Sequence, residues 1–84
     1  MINVIMVDEE QYKGAEVAAI LNAALENMKA SHNTEDLNEM SDLNLIGFLV
    51  YIAIQKTDDY FIQELISKYC RQLFEKQIIT FLRS

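Results

Sequence analysis

Residues 42–56 read DLNLIGFLVYIAIQK, and between Asp42 and Lys56 the stretch carries no charge. Wound as a helix, Leu43, Leu45, Ile46, Phe48, Leu49, Val50, Tyr51, Ile52, Ala53 and Ile54 are apolar around almost the whole circumference. A helix without a polar face has to be surrounded. Two neighbouring helices of one small monomer can hardly surround it, so this stretch predicts self-association. Ser41 or Asp42 is placed to cap its start. A buried strand is the rival reading, because Phe48 to Ile54 is rich in β-branched and aromatic residues and short apolar runs suit either element.

On the N-terminal side the spacing predicts a helix from about Glu9 to Ala30. Asp8, Glu9 and Glu10 complement the positive end of its dipole, and Val17, Ile20, Leu21, Ala24, Leu25 and Met28 form one buried stripe. Ahead of it, residues 1–7 form an apolar arm that either packs on its own domain or exchanges across a dimer. Ser31 to Ser41 is rich in side chains that bond their own backbone, so it is expected as a polar connection with room for a short helical turn begun by Thr34. His32 lies in this connection with no second metal ligand nearby.

On the C-terminal side, Thr57, Asp58 and Asp59 supply caps for a third helix expected to continue to about Leu82. Phe61, Ile62, Leu65, Ile66, Tyr69, Cys70, Leu73 and Phe74 make its apolar stripe, extended by Ile78, Phe81 and Leu82. Such a helix would be roughly 36 Å long and would outrun its neighbour. Its last turns would then need a partner. The expected architecture is therefore all-α: one domain over residues 1–84, a three-helix protomer with a long C-terminal helix, paired as a homodimer. The candidate dimer interface is Phe48, Tyr51, Ile52, Phe74, Ile78, Phe81 and Leu82.

Composition limits the chemistry. With no proline and two glycines the chain lacks the punctuation of an all-β fold. Thirteen acidic residues against seven basic ones give a net charge of −6, which opposes binding to phosphate backbones. Direct nucleic-acid binding is not expected. The longest apolar run, Leu45 to Ile54, is about half of what a bilayer span requires, and residues 1–10 lack the marks of a secretory signal. A single cysteine, Cys70, on an apolar stripe implies a reducing compartment and a buried thiol. A soluble cytoplasmic protein without membrane association is the expectation.

One histidine and one buried cysteine do not assemble acid-base or nucleophilic machinery. No phosphate-binding glycine loop, paired Cys-x-x-Cys or calcium loop occurs. The expected roles are therefore non-enzymatic, with no cofactor and no metal. Three surfaces remain as candidates: the acidic patch of Glu35, Asp36, Glu39 and Asp42, the apolar excess just described, and the basic side of the third helix with Lys68, Arg71 and Lys76. The leading expectation is a protein-binding regulator or adaptor acting as a helical dimer. Its rival is an acidic inhibitor, of the immunity, antitoxin or phage-encoded type, that blocks a basic cleft on a target protein.

A first helix, a polar connection, then Leu45, Ile46, Leu49, the Asp58-Asp59 junction, Phe61, Leu65-Ile66, Arg71 and Phe74 form a pattern over residues 15–75. This pattern resembles the small enterobacterial biofilm and acid-resistance regulators of the AriR (YmgB) type. The resemblance implies a bacterial three-helix protomer that dimerises and acts in a regulatory circuit through other proteins. The apolar N-terminus, the long connection and the more apolar second helix depart from that type. It carries over no functional residue and identifies no partner.

Overall fold

The computed structural model describes residues 4–5 and 14–84. Among the described residues the regular structure is entirely helical: α1 (Gly14–Ser31), α2 (Thr34–Glu39), α3 (Asp42–Ile54), α4 (Tyr60–Gln72) and α5 (Glu75–Leu82). The apolar stretch that admitted two readings is thus a helix. Most of the N-terminal arm, and the start of the first helix with Asp8, Glu9 and Glu10, lie outside the described residues.

The helix starts follow from local side-chain chemistry. Ser41 Oγ accepts from the Asn44 amide at 3.1 Å and caps α3. Asp59 accepts from the Phe61 and Ile62 amides at 2.9 and 3.3 Å and caps α4. In the connection, Asn33 accepts from the Asp36 amide at 2.7 Å, so the turn expected at Thr34 is a short helix that tucks Leu37 into the core. Each such cap satisfies an amide that a helix start otherwise leaves unpaired.

α3 lies at the centre and packs against α1, α4 and α5. Leu45, Ile46, Leu49 and Ala53 form its inner face. They meet Val17, Leu21, Ala24, Leu25 and Met28 of α1, Ile62, Ile66 and Cys70 of α4, and Ile78 and Leu82 of α5 in one apolar cluster. Gln63 fixes the α3–α4 corner, its Nε2 donating to the carbonyl oxygens of Ile54 and Thr57 at 3.0 and 2.9 Å.

The long C-terminal helix does not form as one rod. It breaks at Leu73 and Phe74, where the amides of both residues donate to the Tyr69 carbonyl at 3.0 and 2.9 Å. A shared acceptor of this kind marks a local widening of the helix, and the backbone leaves helical geometry at Phe74 (φ −114°, ψ 3°). Phe74 turns inward and packs edge-on against Tyr69, with ring centres 5.9 Å apart. The physical reason is burial: a straight helix would carry Ile78 and Leu82 away into water, whereas the bend returns both to the core, where they are fully enclosed.

This bend corrects the expected interface. Phe74, Ile78 and Leu82 are buried inside the protomer, and Ile52 and Phe81 are half-buried against the same core. The chain closes over its own end. Arg83 donates to the carbonyl oxygens of Asn38 and Met40 at 3.1 and 2.8 Å and to Asp42 Oδ1 at 2.6 Å. Lys29 Nζ donates to the Ser84 carbonyl at 2.8 Å and sits 5.2 Å from the centre of the Phe81 ring.

Candidate functional site

The inner stripe of α3 accounts for one side of that helix, and a second apolar stripe remains. Leu43, Gly47, Val50 and Ile54 recur at steps of four, three and four residues, the spacing of a helix-pairing seam. At 100° per residue this seam lies roughly 115° around the helix from the core face. Leu43 keeps 66% of its surface exposed, and Tyr51, on the outer flank of the seam, keeps 61%. Gly47 is half-buried, and Val50 and Ile54 are half-buried because they also pack against the edge of the protomer's own core. Of the seven expected interface residues, Tyr51 and Phe48 are the exposed ones, Tyr51 the more so. Phe48, at 37%, lies to the other side of α3, where the His32 ring meets it edge-on at 5.2 Å.

Gly47 is the residue that the fold itself does not explain. A Cβ added there would meet nothing within 4 Å. A glycine within a helix costs about 1 kcal/mol relative to alanine, and the protomer gains no close packing in return. What glycine does provide is a shallow notch in the middle of an apolar seam.

Beside the seam, α3 and α4 bound an open groove of about 680 Å³. Ile54 and Tyr60 contribute apolar surface to its lining, Gln63, Ser67 and Gln72 polar groups, and Lys68 and Arg71 positive charge beside the negative Glu64. Tyr60, at the start of α4, is 82% exposed. Arg71 also borders a second hollow of about 440 Å³ that runs to Asp42, Leu73 and Lys76. The three basic residues singled out in the sequence are therefore brought to two hollows that share Arg71, the second of them also lined by the exposed Leu73 and by Glu75.

The acidic residues Glu35, Asp36 and Glu39 are all exposed on α2, and Asp42 is exposed at the start of α3, where Arg83 holds one of its oxygens. No family model, curated protein or solved structure matches this chain. The resemblance over residues 15–75 therefore rests on the residues quoted for it alone.

Other groups have structural surroundings. Among the described residues no cluster of His, Cys, Asp and Glu is arranged to hold a metal ion, and no helix is long and apolar enough to cross a membrane. Nδ1 of His32 lies 3.3 Å from the Met28 carbonyl oxygen, to which it donates in the tautomer protonated there. Cys70 is fully enclosed, as its apolar flanks predict. Burial pushes its thiol up to about 12, against a smaller opposing pull from the Arg71 charge.

That thiol makes stability pH-dependent. In the unfolded chain it ionises near its ordinary 9.0, whereas in the folded chain it stays protonated to about 12. Above pH 9 the unfolded state sheds a proton that the native state keeps. This group's contribution should therefore fall by about 1.4 kcal/mol per pH unit toward pH 12. Urea midpoints measured at pH 8, 9.5 and 10.5 should drop more steeply for the wild type than for Cys70→Ala; parallel slopes would show that the thiol is not so shielded.

Two residues that organise the molecule have no signature in the sequence. Asn22 is 3% exposed, and its Oδ1 accepts from the amides of Val4 and Ile5 at 2.8 and 2.9 Å while its Nδ2 donates to the Ile5 carbonyl at 3.0 Å. It ties Val4 and Ile5 to α1. Arg83 reads as a charge at a helix end, yet its guanidinium links the chain's last residues to the α2–α3 junction.

Proposed function

We propose that this chain is a small protein-binding regulator or adaptor that works as a helical dimer, carries no catalysis, and uses the outer face of α3 as its recognition surface. The observation that carries this reading is the exposure of Leu43 and Tyr51 on the outer side of α3, beside a glycine for which the protomer has no packing use. Exposed apolar side chains are ordinary when scattered, whereas large ones gathered on one side of a helix are of the kind that marks contact sites.

Sedimentation velocity should show a monomer–dimer equilibrium in the micromolar range. Tyr51→Glu, which places a charge on the exposed flank, should weaken it at least tenfold while leaving the far-UV circular dichroism unchanged. Each copy carries a net charge of −6, so self-association should strengthen as salt screens the repulsion. A wild type that remains monomeric at several hundred micromolar would remove this reading.

A second reading is favoured by the exposure of Glu35, Asp36 and Glu39 together on α2: an acidic inhibitor that covers a basic cleft on a target. Its salt dependence has the opposite sign, since attraction to a basic partner weakens as salt rises. Neutralising Glu35, Asp36, Glu39 and Asp42 together separates the two readings, because it abolishes the inhibitor contact and leaves an apolar self-association intact.

A further inference from the structure

Beyond that reading, and without using the outer face of α3, we infer that α5 is exchangeable between two copies of this chain. The bend at Leu73 and Phe74 straightens, α4 and α5 join into one rod, and each α5 fills the slot vacated in the other copy.

The residues at the bend favour the rod. Arg71 to Gln77 reads RQLFEKQ, in which every residue but Phe74 is a strong helix former. Straightening also restores regular backbone bonding. In the bend the Phe74 amide donates to the Tyr69 carbonyl, five residues back, although Leu73 already donates there. A continuous helix gives it the Cys70 carbonyl instead. α5 starts with no side-chain cap, whereas in a rod its first amides find carbonyls of α4. One local conflict therefore sits at this corner: the chain's own preference is helix, and the burial of Ile78 and Leu82 imposes a turn. Short hinges in such conflict are where elements exchange.

The rod cannot serve a single copy. At 100° per residue it carries Phe74, Ile78 and Leu82 roughly 120° around from Ile62, Ile66 and Cys70, so both faces cannot bury against one core. A second copy removes the difficulty, because what holds α5 is portable. α5 rests on α1, α2 and α3. Ile78 and Leu82 sit in the shared core, Arg83 bonds Asn38, Met40 and Asp42, and Lys29 bonds the Ser84 carbonyl. Each of these contacts can be remade between chains, and two-fold symmetry makes the exchange reciprocal.

Reach sets the arrangement. α5 extends about 12 Å past the bend, so two exchanging copies meet at their hinges. The exposed Leu73 of each then lies near the two-fold axis, where the other copy covers it.

The test is where a cross-link falls. Asn38 and Ser84 are exposed on the two sides of the Arg83 contact. Asn38→Cys and Ser84→Cys are placed in one chain, which is held at several hundred micromolar below its unfolding temperature. The dimer fraction is then isolated by gel filtration and treated with a short bis-maleimide, toward which the buried Cys70 stays silent. Exchange predicts at least tenfold more covalent dimer than internally linked single chain in that fraction, and internally linked chain alone in the monomer fraction. A dimer fraction whose links all fall within single chains would overturn the exchange while leaving the α3 face as the contact; a chain that yields no dimer would overturn it too. Tyr51→Glu should leave the links between chains in place, and their loss would count against the inference. As an independent pair, Leu73→Gly and Leu73→Ala both remove the exposed side chain and differ in helix preference at the hinge. With two hinges per dimer, the glycine variant should dissociate at least tenfold more readily than the alanine variant, the far-UV circular dichroism of both monomers being unchanged. Equal dissociation constants would overturn the rod.

Discussion

Leu49→Ala is expected to remove about 3–5 kcal/mol of folding stability, the range for truncating a fully enclosed leucine whose surroundings cannot collapse into the space. Leu49 is completely buried at the middle of α3, the helix that α1, α4 and α5 all touch, so no neighbour is free to move in. A chain of this length has only about 4–13 kcal/mol in total. The variant should therefore stand near the edge of unfolding at 25 °C. Leu43→Ala, six residues earlier on the same helix, should change stability by less than about 0.5 kcal/mol in dilute solution, because Leu43 already lies mostly in water. Urea titrations of the two variants measure the difference between the inner and outer faces of α3. Equal losses would mean that the faces are assigned wrongly.

The second large effect is expected at Asn22. Asn22→Ala deletes three hydrogen bonds at once and leaves the amides of Val4 and Ile5 and the Ile5 carbonyl without their partner. At about 1 kcal/mol for each bond the loss is about 3 kcal/mol, less whatever water restores to the released arm. Ile5, otherwise nearly enclosed, should come away with it. Hydrogen exchange at the Ile5 amide should then accelerate to the rate of an open chain, while amides in the middle of α3 keep protection set by the remaining global stability. Because Asn22 and Ile5 act as one unit, the losses from Asn22→Ala and Ile5→Ala should not add. Additive losses, or an Ile5 amide as slow as in the wild type, would contradict the pinning role.

The helical class, the caps at Ser41 and Asp59, the buried stripe of α1 and the enclosure of Cys70 were legible because each depends on neighbours in sequence. Periodicity and capping are local, and here local preference and final packing agree. The break at Leu73 and Phe74 was not legible. No proline or glycine marks it, and its cause is the burial of Ile78 and Leu82 against helices far away in the chain. The burial of Phe74, Ile78 and Leu82 within the protomer was hidden for the same reason, since they look unsatisfied only while the helix is drawn straight. Asn22 and Arg83 went unread because a single polar residue acquires its role from groups 17 to 45 positions away. Gly47 was visible as a residue, but its lack of neighbours emerges only in three dimensions.

The two-sided greasiness of α3 leaves its rotational phase weakly specified by water avoidance alone, since turning the helix about its axis exchanges one oily stripe for another and the hydrophobic effect has no direction. The polar ties at its two ends then act as index pins. The Asp42–Arg83 pair ties one end to the end of α5, and Gln63 of α4, donating to the Ile54 carbonyl, ties the other. These two ties, one at each end of α3, add direction to a packing force that has none of its own.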